Sequence, residues 1–242
     1  METAVWQAMA LFISVLAAGG VVLLYSKLKQ YSFKPLFLFG GAFIFALTLV
    51  HILPEVFDSG LSAFEAGIWI LLGFITQLFL ENMTQGIDHG EVVSKEKLRL
   101  SPWSLLIGLC LHALLEGMYL GIPEQHDGHN HLFWGVMFHK IPAAVALTAL
   151  MRSVWGSSGR VSLGVVLFSL AAPLGIFASR FLWINEWLSE GFFQSMTAFV
   201  GGGFLFISTS LFSALKHTGA RRAQKFAAVL LGIVLAVFME VL

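Results

Sequence analysis

Hydrophobic residues along this chain come in long blocks that are separated by short polar stretches. A helix that crosses a bilayer needs about 20 mostly apolar residues, and no block alternates with the period of two that a barrel strand requires. The pattern therefore predicts an all-α protein with one transmembrane domain over residues 1–242. Its eight predicted helices are 4–26, 35–57, 63–84, 102–122, 132–151, 161–183, 191–214 and 222–242.

The composition agrees with a membrane protein and excludes a soluble domain. Hydrophobic residues make up 57% of the chain and charged residues 12%, whereas a soluble domain carries about 25% charged residues. The net charge of +0 gives no reason to expect a nucleic-acid partner. We expect an integral protein of a plasma or bacterial inner membrane, in contact with lipid, with a homodimer as one option for its assembly.

The loops between the predicted helices differ in charge. If the N-terminus lies outside, most Lys and Arg residues fall in inner loops, as the positive-inside rule requires. Acidic residues such as Glu55, Asp58 and Glu190 then fall on the outer side. With an even number of helices, both termini are predicted to lie outside.

Polar residues within the fourth and fifth predicted helices are the main candidates for function, because charged groups in hydrocarbon cost about 2.5–3.5 kcal/mol on insertion scales. His112 and Glu116 lie four residues apart, so they share one face of the fourth helix. The fifth helix carries His139 and Lys140 just before Pro142, which is expected to kink it. Pro173 is expected to break the sixth helix in the same way.

Two imidazoles and one carboxylate are ligands that suit Zn²⁺ and can also hold Fe²⁺, Mn²⁺ or Cd²⁺. His112, Glu116 and His139 are therefore predicted to bind a divalent metal inside the membrane. The alternative is a hydrogen-bonded His, Glu and Lys network without metal, and the residue spacing alone leaves both open.

Further polar groups occur toward the outer side. His51, Glu55 and Asp58 end the second helix, where they form either a station for an incoming cation or an interfacial histidine with helix-capping acids. One outer loop contains His126, Asp127, His129 and His131. Such a loop either gathers metal ions or is a solvated polar turn.

Three of these segments resemble the ZIP (Zrt/Irt-like) family of divalent-metal transporters. His112-Ala-Leu-Leu-Glu116-Gly is similar to the family's H-N-x-x-[DE]-G signature, and His139-Lys-Ile-Pro142 is similar to H-E-x-P-x-[EH]. The end of the second helix, His51-Ile-Leu-Pro-Glu, resembles the family's H-x-x-P. The resemblance implies a 3+2+3 bundle, in which the first three and last three helices are inverted repeats around the fourth and fifth.

The resemblance also implies roles for individual residues. His112, Glu116 and His139 match the ligands of the first of two adjacent metals in the family. The ligands of the second metal are absent, since Ala113, Lys140 and Ala143 stand in their positions. Lys140 is therefore expected to occupy the second-site position as a fixed cation. It would pair with Glu116 when no metal is bound, and the pair would open, or Lys140 would lose its proton, when metal enters.

The expected activity is transport of a divalent transition metal into the cytoplasm by alternating access around a mononuclear site. Zn²⁺ is the first candidate, as a transported substrate rather than a fixed cofactor, and iron, manganese and cadmium are further candidates. The sequence has no P-loop pattern, which gives no support to an ATP-driven pump. We do not expect an enzyme, but the alternatives are an intramembrane zinc hydrolase with an open ligand position for water, or a metal-binding family member that does not transport.

Overall fold

The computed structural model describes residues 2–25, 34–84, 101–122, 129–215 and 222–241. Within these residues the secondary structure is entirely helical. In chain order the helices are α1 (Glu2–Leu24), α2 (Lys34–Leu47), a π-helical segment (Thr48–Ile52), α3 (Leu53–Asp58), α4 (Ala63–Thr84), α5 (Pro102–Gly121), α6 (His129–Trp155), α7 (Ser158–Ile184), α8 (Glu190–Leu215) and α9 (Arg222–Val241).

Among the described residues, eight helical spans are long and apolar enough to cross a membrane, which confirms the eight predicted helices. Most observed ends lie within a few residues of the predicted ones. The fifth and sixth spans are longer, since α6 covers His129–Trp155 and α7 covers Ser158–Ile184. Hydropathy detects only the part of a helix that suits hydrocarbon, whereas the backbone ladder continues into the polar turns beyond it.

The second span contains a stretch of irregular backbone. The N–H of Leu53 bonds the carbonyl of Thr48, five residues earlier, which makes Thr48–Ile52 a π-helical segment. Pro54 follows directly in the first turn of α3, so the widened turn lies just before a residue that has no N–H to donate. Such π-bulges occur frequently at functional sites, and this one contains His51.

Two prolines in the middle of later spans do not interrupt their helices. Pro142 lies inside α6 and Pro173 inside α7, and both helices are continuous. The predicted break at Pro173 is therefore wrong. A proline removes one bond from the ladder, and here tight packing of the surrounding turns, such as that of Ala172 against α5, holds the helix together.

Three pairs of spans pack most extensively: α5 with α7, α4 with α8, and the second span with α9. Small residues allow very close backbone contact in such pairs. A methyl group added at Gly117 of α5 would lie 2.1 Å from the carbonyl oxygen of Ala172 in α7, and one added at Gly73 of α4 would lie 1.7 Å from that of Phe199 in α8.

This arrangement fits the 3+2+3 bundle. The second span packs along α9, and α4 packs along α8. If the first three spans correspond in order to the last three, the second span corresponds to α8 and α4 corresponds to α9. The two contacts are then equivalent, as an inverted repeat requires. The pair α5 and α6 contacts both sets of three, because α5 lies against α4, α7 and α8 while α6 lies against α1, α2 and α7.

The two ends of the bundle differ in charge among the described residues. Asp58, Glu190 and Glu240 line a cleft at one end. Arg152 lies at the other end, where its guanidinium donates to the carbonyls of Val22 and Leu23 near the end of α1. This separation agrees with the predicted orientation, in which the acidic end faces outward.

Candidate metal centre

The centre is built from facing turns of α5 and α6. His112 and Glu116 lie one turn apart on α5, and His139 and Lys140 are neighbours on α6; all four side chains are buried. His112, Glu116 and His139 each offer one ligand atom, and these atoms lie within 4.8 Å of one another. The structure thus brings together the three residues that the sequence predicted as ligands.

His112 and Glu116 direct two unsatisfied atoms toward each other. The Nε2 atom of His112 lies 3.3 Å from Oε1 of Glu116, yet neither atom makes a hydrogen bond to any described residue. His112 and Glu116 both line a small cavity of about 20 Å³, a volume that suits one water-sized occupant. Two such atoms facing one small space are arranged as ligands of a cation.

Gln77 of α4 holds the imidazole of His112 from behind. Its Oε1 lies 3.1 Å from Nδ1 of His112, and the Gln77 side chain is buried. A carbonyl oxygen only accepts, so Nδ1 carries the proton and Nε2 keeps its lone pair for a metal. Gln77 was not among the predicted site residues, although an amide inside an apolar helix is a signal that the sequence offers.

His139 completes the triad from α6. Its ring lies 5.9 Å from that of His112, in an edge-on arrangement. Gly40 of α2 packs directly behind its backbone, where an added methyl group would come within 3.1 Å of the His139 nitrogen. The close approach of α2 therefore fixes the backbone that carries this histidine.

Lys140 lies at the edge of the triad. Its Nζ donates to Oε2 of Glu116, and the side chains of Lys140 and Glu116 are only 3% and 2% exposed. The ammonium also lies 5.8 Å from the ring centre of Phe168 on α7, within the range of a cation–π contact. Glu116 thus has one oxygen on a fixed cation and the other toward His112.

Comparison with known proteins decides the family of the chain. A sequence model described as ZIP zinc transporter matches residues 86–240, more than half of the chain. The chain belongs to the ZIP family. ZIP proteins are transport proteins, and the matched residues include the whole of the triad and Lys140.

Individual relatives of this ZIP protein carry the name zinc transporter ZIP9. Zinc transporter ZIP9 of Micropogonias undulatus is 25% identical over 152 residues, which are 59% of this chain and 49% of that protein. ZIP9 of Xenopus tropicalis is 26% identical over 154 residues, 59% of this chain and 50% of that protein. ZIP9-B of Xenopus laevis is 27% identical over 112 residues, 45% of this chain and 37% of that protein. The chain spans half or less of the length of these curated relatives.

The outer polar residues of this ZIP protein line a cleft of about 410 Å³. His51, Glu55 and Asp58, predicted as pathway residues, border it together with Glu190 and Glu240. The Nδ1 atom of His51 lies 3.0 Å from Oε1 of Glu240. The charge pattern placed Glu240 on the outer side but did not predict its contact with His51, because the two residues lie 189 positions apart in the chain.

The predicted metal-gathering loop is only partly within the described residues. His126 and Asp127 lie outside them, and His129 and His131 belong to the first turn of α6, with side chains outside the described part. A role for these four residues stays a prediction.

Proposed function

We propose that this ZIP protein carries a divalent transition metal into the cytoplasm through one mononuclear site, formed by His112, Glu116 and His139. The observation that carries the proposal is the meeting of three buried ligand atoms within 4.8 Å on two neighbouring helices. Polar groups at such depth are costly and are typical of ion pathways. The family match supports transport over an intramembrane hydrolase.

Zinc is the first candidate for the transported ion. Two imidazole nitrogens and one carboxylate oxygen form a ligand set of borderline softness, which suits Zn²⁺ and tolerates iron, manganese or cadmium. The relatives are named zinc transporters, which supports the same choice. A transported ion must leave its site again. Three protein ligands, with water in the fourth position, suit such an ion because they do not enclose it completely.

The surroundings of the triad support one metal rather than two. Ala113 and Ala143, in the positions of second-metal ligands, are buried and apolar. Lys140 places an ammonium on the oxygen of Glu116 that a second metal would need. In a medium of low dielectric constant this cation repels another cation strongly, and it balances the charge of Glu116 when no metal is bound.

The acidic cleft supports a route from outside to the triad. His51, Glu55 and Asp58 border the cleft, and Thr197 of α8 forms part of its lining. Val200, three residues along the same helix, borders the small cavity beside His112 and Glu116. Three residues of a helix rise about 4.5 Å, so one turn separates the cleft from the triad, and a movement across that turn would admit the ion.

Reconstitution in liposomes that contain a zinc-sensitive dye tests the proposal. We expect zinc uptake by the unaltered protein and its loss in Glu116→Ala and His112→Ala. Thr148→Val is the matched control, because Thr148 is a buried polar residue of α6 whose hydroxyl donates only to the Ala144 carbonyl of its own helix. Uptake that persists in both triad variants would refute the site, and bound zinc without any flux would refute transport.

A further inference from the structure

We infer that the outer cleft contains a second cation site, in which Nε2 of His51 and Oε2 of Glu55 bind a divalent transition metal and Glu240 holds the imidazole in place. This inference rests on the proposed function only for the identity of the ion. The site itself follows from contacts among the second span, α5 and α9.

Glu240 determines which nitrogen of His51 is available. Its Oε1 lies 3.0 Å from Nδ1 of His51, and a carboxylate can only accept a hydrogen bond. In the neutral imidazole, which is the form that binds metal, the Nδ1 atom therefore carries the proton, and Nε2 keeps a lone pair. A carboxylate behind a metal-binding histidine is a common arrangement, since it orients the ring and makes the ligand more basic.

Glu55 supplies the second ligand atom. Its Oε2 lies 3.9 Å from Nε2 of His51, and a zinc ion between them can reach both at bond lengths of about 2.0–2.2 Å. Tyr119 of α5 donates its hydroxyl to the same oxygen at 3.3 Å, which limits the motion of the carboxylate. Water in the cleft can fill the remaining ligand positions.

The π-helical segment contributes to this geometry. His51 lies in its last turn and Glu55 in the first turn of α3, beyond Pro54. A π-helical turn contains one residue more than an α-helical turn, and each residue of an α-helix turns the chain by about 100°. The direction of His51 therefore differs from the one it would have in a regular helix. The irregular backbone thus serves to point His51 into the cleft and toward α9.

The charge and access of the cleft favour a cation. The described residues that line it include four carboxylates, Glu55, Asp58, Glu190 and Glu240, and no Lys or Arg. A concave surface of one charge sign concentrates ions of the opposite sign. The side chains of His51 and Glu55 are 15% and 40% exposed, so an ion from solution can reach them without a change in the bundle.

The outer site lies next to the route to the triad. Tyr119, which contacts Glu55, follows Glu116 by three residues on the same helix. An ion on His51 and Glu55 would thus lie about one helical turn from the inner ligands. Water around the exposed ligands screens their attraction for the ion, so we expect the outer site to bind more weakly than the triad.

Zinc titration of the purified protein in lipid nanodiscs, followed by calorimetry, tests this inference. We expect two zinc ions per chain, the weaker of which is lost in His51→Ala and in Glu55→Gln. Glu240→Leu, which removes the acceptor at Nδ1 of His51, should keep the weaker ion but lower its affinity about 10- to 100-fold, as for other groups behind metal ligands. Glu186→Gln is the matched control, because this exposed carboxylate lies in the turn after α7, outside the cleft lining.

A variant without the triad separates this inference from the proposed function. His112→Ala/His139→Ala should bind one zinc ion, which a further His51→Ala removes. If His51→Ala and Glu55→Gln leave two ions bound to the otherwise unaltered protein, the outer site is refuted, whatever the flux. If zinc flux is absent but the binding sensitive to His51 remains, the proposed transport fails and the outer site stands.

Discussion

Lys140 of α6 and Glu116 of α5 form a buried ion pair, in which Nζ of the lysine donates to Oε2 of the carboxylate. The other carboxylate oxygen lies 3.3 Å from Nε2 of His112. Glu116 is thus shared between a fixed cation and the proposed position of a metal. Any ion that binds the triad has to compete with Lys140 for this one negative charge.

Removal of the lysine charge should therefore tighten metal binding. In Lys140→Met the metal no longer meets a neighbouring ammonium, and the free state keeps an uncompensated carboxylate, so both effects raise zinc affinity. We expect an increase of about tenfold or more, since Coulomb energies at such distances reach several kcal/mol. Calorimetric zinc titration measures it, and Lys140→Arg, which keeps the charge, should stay near the original affinity. An unchanged or lower affinity in Lys140→Met would contradict the role of Lys140.

The same pair should appear as coupling in stability. Breaking a buried pair by removal of one partner costs about 3–5 kcal/mol, whereas its replacement by two uncharged groups costs much less. Lys140→Met and Glu116→Gln should each lower the free energy of unfolding, and the double variant should be more stable than either. Urea unfolding in mixed micelles without metal, analysed as a double-mutant cycle, measures the coupling. Additive losses would show that the pair contributes nothing.

Gln77 should affect metal binding through His112. Gln77→Leu removes the acceptor at Nδ1, so we expect zinc affinity to fall about 10- to 100-fold. Gln77→Glu keeps an acceptor and should retain affinity. Nitrogen NMR of labelled histidine should show the shift from a fixed tautomer to a mixture in the leucine variant only. Gln7→Leu, at a buried glutamine of α1, is the control, and an equal loss of affinity there would indicate a general packing effect.

Close contact between α5 and α7 should be sensitive to the size of residue 117. A methyl group at Gly117 would lie 2.1 Å from the carbonyl of Ala172, whereas one at Gly20 of α1 would have no atom within 4 Å. Gly117→Ala should therefore destabilise the protein by about 1–3 kcal/mol, as overpacked cores do. Gly20→Ala should be neutral or slightly stabilising, because alanine favours the helix. Thermal unfolding in detergent compares the two, and equal melting temperatures would contradict the tight packing.

The sequence by itself determined the eight spans and one half of the metal centre. Both are local properties, since about 20 apolar residues suffice to define a span and a spacing of four places His112 and Glu116 on one helix face. Sequence also indicated His139 and Lys140 as candidates, because ionisable residues in an apolar helix are costly. The ZIP-like motifs added the expectation that these helices are neighbours.

Only the tertiary structure decided which distant groups meet. Gln77 contacts His112 from 35 residues away, and Glu240 contacts His51 from 189 residues away. No local sequence pattern indicates either pairing, because each depends on which faces of the helices pack together. Close backbone contacts, such as that of Gly117 with Ala172, determine those faces. The local effect of a proline also differs between spans: α7 is continuous through Pro173, whereas the turn before Pro54 is π-helical. Each proline removes one backbone hydrogen bond, and the packing of neighbouring spans decides whether the helix continues past it.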